Sequence, residues 1–330
     1  MPVTMRDVAQ KASVSIKTVS RVVNDQGEIA DSTRQRVLTV INELGYRPNL
    51  VARGLVTQRT YTVGLVVADI TNPFFPEVAR GVQDIARAHD YNIFLCNSDE
   101  NQGEELRTLH SLTSQSVDGI IIFPCYYTAD NIKNFVKQYR PLITVNYLYD
   151  HPNIGQITTP NNEGAKAAVD YLVSQGHRQI GMLASLETSR QRGRRLRGFV
   201  EAMAAHGLPV PEQRVLYGTP TWESGYETGL RLLTQEPQVT AIFAYNDLVA
   251  LGAVKACQKL GRRVPEDCAI IGFDDIQLAS LVSPSLTTVR LDKYALGQQA
   301  MTRLLEMLDH PKRVFPPINL DVELVIRESA

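Results

Sequence analysis

Lys17 and Arg21 stand one helical turn apart in "VSIKTVSRVVN", residues 14–24, on the face opposite Val19, Val22 and Val23. Long cationic side chains near the start of a short amphipathic helix suit guanine O6 and N7 in a major groove, and Ile16 beside them suits a thymine methyl. Thr18, Ser20 and Asn24 are the short hydrogen-bonding residues that hold phosphates, and Thr4, Ser15 and Asn49 join them as expected backbone contacts. The competing account is a solvated surface helix whose apolar stripe covers a core. A second set of reactive types comes after short apolar runs further along. Asn72, Phe74 and Phe75 come after "TVGLVVA", Asn146 ends "PLITVN", Asn246 follows "TAIFAY" and Asp274 follows "AIIGF". With the arginines of "SRQRGRRLRGF", these are amides, carboxylates, guanidiniums and aromatic faces. Such a set grips a polyhydroxylated ring through paired hydrogen bonds and stacking.

The first set needs a scaffold of small helices. Thr4 caps a helix with Asp7 at its third position, and Val8, Ala9 and Ala12 share a face. "ASVS" breaks that helix and Ser15 caps the next. A break of only Ser13–Ser15 forces a steep crossing, the helix-turn-helix arrangement in which the second helix enters the major groove. "DSTRQRVLTVINELGY" predicts a third helix, with Ser32 and Gln35 as a capping box, a stripe of Val37, Ile41 and Leu44, and Gly45 at the end. Pro48 blocks continuation, and Asn49 caps a short helix, Leu50 to Leu55, that is too brief to persist alone.

The second set needs sheets. From Tyr61 on, apolar β-rich runs at 62–68, 91–97, 118–123, 141–146, 179–184, 214–218, 240–245 and 269–273 alternate with helical stretches, including one over 161–175. Continuous apolar strands between amphipathic helices predict parallel sheets covered on both faces. The pattern occurs twice, predicting two open α/β lobes with ligands at the carboxyl ends of the strands, in the cleft between them. Asp247 and Asp275 read as helix N-caps. Phe74 also suits a core position. Trp222, the only tryptophan, begins a helix after Thr221 and is either a cleft aromatic or an anchor under that helix, Pro220 standing before it. Arg190, Arg192, Arg194 and Arg197 read as solvated or lobe-bridging, since few guanidiniums fit around a small neutral ligand.

The charge distribution agrees with this division. Residues 1–60 hold nine Lys/Arg against five Asp/Glu, a net +4, and the remainder is −5, within a total of −1 over 330 residues. A basic head on a mildly acidic body suits an anionic polymer met by the head alone. No run of 18 apolar residues occurs, and "MPVTMRDVAQKA" has no apolar h-region, so a cytoplasmic protein is expected. Cys96, Cys125, Cys257 and Cys268 lack metal spacing, and the six histidines are dispersed, so neither a metal nor another cofactor is expected. Neither G-x-G-x-x-G after a strand nor a G-x-x-x-x-G-K-[ST] loop appears, and no nucleophile–His–acid set stands out, which argues against an enzyme.

The stretch "TMRDVAQKASVSIKTVSRVVN…TRQRV…ELGYRPNLVARGL" resembles the lactose/galactose repressor (LacI/GalR) family, and the likeness runs over essentially the whole chain. The resemblance implies an α/β protein with a three-helix helix-turn-helix head over 1–48, a hinge helix and linker over 49–60, and an effector-binding, dimerising body over 61–330. That body is similar to type I periplasmic sugar-binding proteins, with an N-lobe of about 61–160 and 291–320 and a C-lobe of about 161–290 and 321–330. It implies Ile16, Lys17 and Arg21 as base readers and Leu55 as a wedge in the minor groove. Gly54 either keeps the hinge unfolded off DNA or permits a close helix approach. It aligns Arg195 with the family's effector-binding arginine, and Asn246 and Asp274 with its hydroxyl-binding residues. One departure is Ser13, where glycine or asparagine often sits. The chain stops at "ELVIRESA" without a leucine heptad, so a homodimer on a near-palindromic operator is expected. A sugar or polyol is the expected effector, with a nucleoside or purine, or a sugar phosphate, as alternatives. A free-standing sugar-binding protein is the remaining rival and is disfavoured by the basic head.

Overall fold

The structure, a computed structural model, describes residues 3–23, 27–46, 59–124, 141–147, 151–185 and 193–330. It divides into two compact units, Met1–Tyr61 and Thr62–Ala330.

The first unit contains α1 (Met5–Lys11), α2 (Ile16–Val23) and α3 (Asp31–Leu44). Thr4 starts α1: its hydroxyl accepts from the Asp7 amide at 3.4 Å, while the Asp7 carboxylate takes the Thr4 amide at 2.8 Å and its hydroxyl at 2.7 Å. Those bonds from Thr4 hold the Asp7 carboxyl below its ordinary pKa. The α1–α2 turn hangs on Ser13, at φ 52°. Its left-handed backbone lets the Val14 amide return to Ala9 O at 3.0 Å. The Ser15 hydroxyl then caps α2 by accepting from the Thr18 amide at 3.0 Å. Val8, Ala9, Ala12, Val19, Val22, Val37, Val40 and Tyr46 close one small core. The Ser32–Gln35 capping box does not form: α3 begins a residue earlier, at Asp31, and Ala30 occupies the cap position without a side-chain bond. Ser32 thus lies inside the first turn, where its backbone is already helical. Gly45, at φ 62°, ends α3.

The second unit is two lobes. The first holds β1 (Thr62–Val67), α4 (Phe74–Ala88), β2 (Asn92–Asn97), α5 (Gln102–Ser114), β3 (Gly119–Ile122), β4 (Leu142–Val145) and β5 (Ile154–Thr158). The second continues with α6 (Asn161–Ser174), β6 (Ile180–Ser185), α7 (Gly193–Ala205), β7 (Val215–Gly218), α8 (Trp222–Gln235), β8 (Ala241–Ala244), α9 (Asp247–Lys259), β9 (Ala269–Asp274), α10 (Gln277–Leu281) and β10 (Thr287–Leu291). The chain then returns through α11 (Lys293–Asp309) and β11 (Ile318–Asn319) to the first lobe, and ends in the second with β12 (Val322–Val325). The sheets run β11-β5-β4-β3-β1-β2 and β12-β10-β9-β8-β6-β7. β10–β12 is the antiparallel pair among parallel neighbours. Three crossings therefore join the lobes: after β5, before α11 and after β11. Strands β5, β10, β11 and β12 lie outside the apolar runs of the sequence. β10 (TTVRL) carries two threonines and an arginine and β11 has two residues, so neither presents such a run.

In each lobe a helix pair crosses backbone to backbone. A Cβ at Gly81 would lie 2.1 Å from Tyr294 O and one at Gly297 2.1 Å from Val78 O, so α4 and α11 meet through glycine. Gly225 and Gly252 do the same for α8 and α9, at 2.3 Å from Val249 O and 2.2 Å from Trp222 O. Only hydrogen fits at such approaches. No helix among the described residues is long and apolar enough to cross a membrane.

Candidate functional site

Two regions have the required chemistry. In the first unit, burial of Val19 and Val22 turns the other side of α2 to solvent. Ile16 is 46 % exposed, and Lys17 and Arg21 are exposed beside it. Among the described residues neither Lys17 nor Arg21 has a hydrogen bond or ion pair, whereas Lys11 is paired with Glu43 at 2.9 Å. The hydroxyls of Ser15 and Thr18 lie 2.9 Å apart and bond to each other, so each retains lone pairs or rotation for an outside partner. Asn24, Asn49, Leu55 and the hinge over 49–56 with its Gly54 fall outside the described residues.

In the second unit a cavity of about 150 Å³ opens between the lobes. It brings together seven residues nominated from the sequence: Asn72, Phe74, Phe75, Asn146, Arg195, Asn246 and Asp274. The first lobe supplies an aromatic wall. Phe74, Phe75 and Phe123 meet edge to face, with centroids 5.1, 6.2 and 5.3 Å apart. The second lobe supplies charge. Arg195, in the first turn of α7, is tied at every nitrogen: Nε donates to Asn161 Oδ1 at 2.9 Å, Nη2 to Asp274 Oδ1 at 2.9 Å, and Nη1 to Tyr245 O. Its guanidinium also lies 3.7 Å from the Phe273 centroid and 4.7 Å from that of Tyr245. A guanidinium held so firmly keeps two N–H groups for a ligand at little entropic cost.

The amides are oriented with equal economy. Asn146 Oδ1 accepts from the Thr159 amide at 2.8 Å and its hydroxyl at 2.9 Å, which leaves its NH₂ as donor. Asn72 Oδ1 accepts from the Phe74 amide at 3.0 Å, leaving a second NH₂. Asn246 lines the cavity, yet its own groups serve the fold: Oδ1 takes the Val249 amide at 2.9 Å and Nδ2 donates to Pro220 O at 3.1 Å. Asp274 offers the acceptor, its Oδ1 held by Arg195. Burial raises its pKa, against the pull of Arg195 and Lys293.

The backbone is strained where these residues stand. Asn146 has φ 60°, Asp274 φ 103° and Asp275 φ 50°. Asparagine and aspartate enter the left-handed region more readily than other side chains, but φ 103° at Asp274 lies beyond it and must be forced by the surroundings. Lys293, 5 % exposed, supplies that force, donating to Asp274 O at 2.8 Å and Asp275 O at 2.7 Å. It starts α11 in the first lobe and lies 3.6 Å from Glu77 Oε2 of α4, so it spans the lobes.

Beneath this floor is Asp247. Its place in the sequence suggests an N-cap, but Asn246 caps α9, and Asp247 turns inward, fully buried. It accepts from the Ile276 amide at 2.7 Å and the Thr288 hydroxyl at 2.5 Å. Burial, with Asp274 adjacent, pushes its pKa up to about 8. Asp275 is not a cap either: Arg290 Nε at 2.7 Å and Arg327 Nη2 at 2.6 Å hold its carboxylate, and Ile276 stands at the cap of α10.

Trp222 does not line the cavity. Thr221 caps α8, which sets Trp222 at the first helical position with 51 % of its surface exposed, and Pro220 faces the cleft instead. Phe123, Asn161 and Tyr245 join the lining without having been nominated from the sequence. Phe123 and Tyr245 directly follow β3 and β8, so the rule that located Asn146 applied to both. Asn161 had no such signal, as its role depends on a partner 34 residues away.

Two family profiles match the chain: bacterial regulatory proteins, lacI family, over residues 4–49, and the periplasmic binding protein-like domain over 169–330. Catabolite control protein A of Priestia megaterium is 39% identical over 310 residues, covering 94% of this chain and 93% of that protein. The crystal structure of the lac repressor dimer bound to operator and the anti-inducer ONPF superposes with a TM-score of 0.90 at 28% identity, over 100% of this chain and 99% of that one. A transcriptional regulator CelR–cellobiose complex gives a TM-score of 0.74 at 29% identity, over 99% of this chain and 100% of that one.

Proposed function

The chain belongs to the lacI family of bacterial regulatory proteins, and on that premise we propose that it represses transcription as a homodimer on a near-palindromic double-stranded operator, relieved or reinforced by a small neutral sugar or polyol in the inter-lobe cleft. The observation that carries the ligand half is the complement of the cleft: amide donors at Asn72 and Asn146, a pre-tied guanidinium at Arg195 and a carboxylate at Asp274, opposite the Phe74–Phe123 wall. Hydroxyl pairs meet the polar side and a ring face meets the aromatic one. The cleft's volume, about 150 Å³, is below the roughly 300–1,000 Å³ of drug-sized sites and suits a compact ligand. That related structures hold cellobiose and ONPF in this fold supports the same reading.

The operator half rests on Ile16, Lys17 and Arg21 at base edges, with Thr4, Ser15, Thr18 and Ser20 on phosphates. Asn24, Asn49 and the Leu55 wedge complete that proposal from sequence alone. A regulator of this kind needs no catalytic residue. Closure of the cleft moves one lobe relative to the other, and Lys293, anchored in both, transmits that motion to the strained Asp274–Asp275 backbone. Effector and operator then alter each other's affinity by the same factor.

The test uses the full chain in two steps. Operator selection from a random duplex pool should return a palindrome, and a panel of monosaccharides, polyols, nucleosides and purines should contain one compound that stabilises the protein and shifts operator affinity. Recovery of no preferred duplex would overturn the operator reading. A response to purines and to no sugar would replace the ligand class, with the Phe74–Phe123 wall as the stacking surface.

A further inference from the structure

A second cavity, of about 780 Å³, adjoins the cleft at the lobe crossings and shares Asn161 with it. Thr158 and Asn319 reach it from the paired ends of β5 and β11 in the first lobe. Asn162 and Glu163 reach it from the first turn of α6, and Arg194 and Arg197 from the first turns of α7. It therefore touches two of the three crossings and both lobes.

Its charge is only partly compensated, Arg194 by Glu163 and Arg197 by Glu201. Among the described residues Arg194 and Arg197 carry no hydrogen bond and no ion pair. The carboxylate best placed to serve Arg197, Glu201 one turn along, is already taken by Asn162 Nδ2 at 2.9 Å and Lys166 Nζ at 3.0 Å. Burial, and the repulsion of Arg197, lower the pKa of Arg194, and Glu163 offsets this in part. Acceptors stand beside these donors. Asn162 Oδ1 is buried and has no hydrogen-bond partner, and the exposed Glu163 carboxylate has no ion pair among the described residues. A buried acceptor without a donor is costly unless something else satisfies it.

We infer that this cavity is a second ligand site, beside the cleft and centred on Arg194 and Arg197, for a phosphate monoester that also carries hydroxyls. Paired guanidiniums match phosphate oxygens in geometry and charge. The exposed Glu163 carboxylate accepts from the hydroxyls, a role that a bare anion leaves empty. A ligand here binds residues of both lobes at once and so biases their closure. The inference rests on the two-lobed clamp and not on the identity of the cleft ligand.

The probes are inorganic phosphate and glycerol 3-phosphate, titrated into the full-length protein at constant ionic strength, with binding followed calorimetrically. Glycerol 3-phosphate should bind saturably and more tightly than inorganic phosphate. The double substitution Arg194→Gln with Arg197→Gln should weaken it about 10-fold or more, since charge-assisted bonds to phosphate are lost. An unchanged melting temperature in chloride shows that this variant is folded, and Arg194→Lys with Arg197→Lys should restore part of the affinity. Three results overturn the inference: no saturable binding, binding that survives the double glutamine variant, or binding abolished by Arg195→Gln while the double variant retains it, which puts the anion in the cleft. None of these touches operator selection, so the two readings fail separately.

Discussion

Arg21 and Arg195 are the same side chain put to opposite uses. Arg21 stands in solvent on α2 with no partner among the described residues. Arg195 is largely covered, bonded at Nε, Nη1 and Nη2, and stacked on Phe273. A free guanidinium is suited to a polyanion, where attraction is long-ranged, sensitive to salt and tolerant of adjustment. A tied one is suited to a small ligand, whose few contacts cannot offset the ordering of a loose side chain. The two regions differ in the same way throughout. Lys17 is exposed on α2 with no hydrogen bond or ion pair among the described residues, whereas Lys293, Asp247, Asp274 and Asp275 form one connected, largely buried network beneath the cleft.

The sharpest way to break this contrast is to remove each arginine. Arg195→Ala should cost the body about 3–5 kcal/mol of unfolding free energy, because it leaves Asp274 buried and unpaired; thermal or urea unfolding measures this, and ligand binding in the cleft should vanish with it. A loss under about 1 kcal/mol, the range of an exposed pair, would mean that Arg195 is not the keystone its bonds imply. Arg21→Ala should leave unfolding within about 0.5 kcal/mol and relax discrimination at one half-site position by about 1–3 kcal/mol. Equal weakening on every duplex would instead make Arg21 a phosphate contact.

Acidity sharpens the comparison further. The Asp247 carboxyl, raised to about 8 by burial and by Asp274, binds a proton in the folded state that the unfolded chain has already released. Its contribution to stability is therefore full below the unfolded pKa of about 3.9 and is lost as pH rises toward 8, at no more than about 1.4 kcal/mol per pH unit. Unfolding of the body, measured at pH values on either side of neutrality, should show this decline. Asp247→Asn should flatten it, since an amide can still accept from the Ile276 amide and donate to the Thr288 hydroxyl. An unchanged slope would assign the titration to another group. The smallest effect belongs to the head. Ser13→Gly, at φ 52°, should raise its stability by up to about 1 kcal/mol by relieving a left-handed serine. Destabilisation would mean that chain entropy outweighs the relief.

Much of the molecule is legible in its sequence, and the exceptions share a physical cause. Thr4, Ser15 and Gly45 announce helix ends because capping is settled within four residues. Asn72, Asn146, Asn246 and Asp274 are identifiable because parallel strands deliver the residues after them to one edge of a sheet. Trp222 and Asp247 depart from expectation for a common reason. Each stands at a helix start: Pro220, two residues before Trp222, lines the cleft in its place, and Asn246, not Asp247, caps α9, because a shift of one or two residues there decides which side chain faces inward.

Composition, charge and periodicity thus determined the two-part architecture, the exposed cationic face of α2 and the edge of each sheet at which the polar residues gather, because all of these arise from short-range geometry. Tertiary structure alone decided which polar groups remain available to a ligand. Arg195 is committed to residues 34, 50 and 79 positions away, Asn246 to one 26 positions away, and Lys293 to carbonyls 18 and 19 positions away. No local pattern encodes such bonds, since they form only when the folded sheets bring distant segments within about 3 Å of one another.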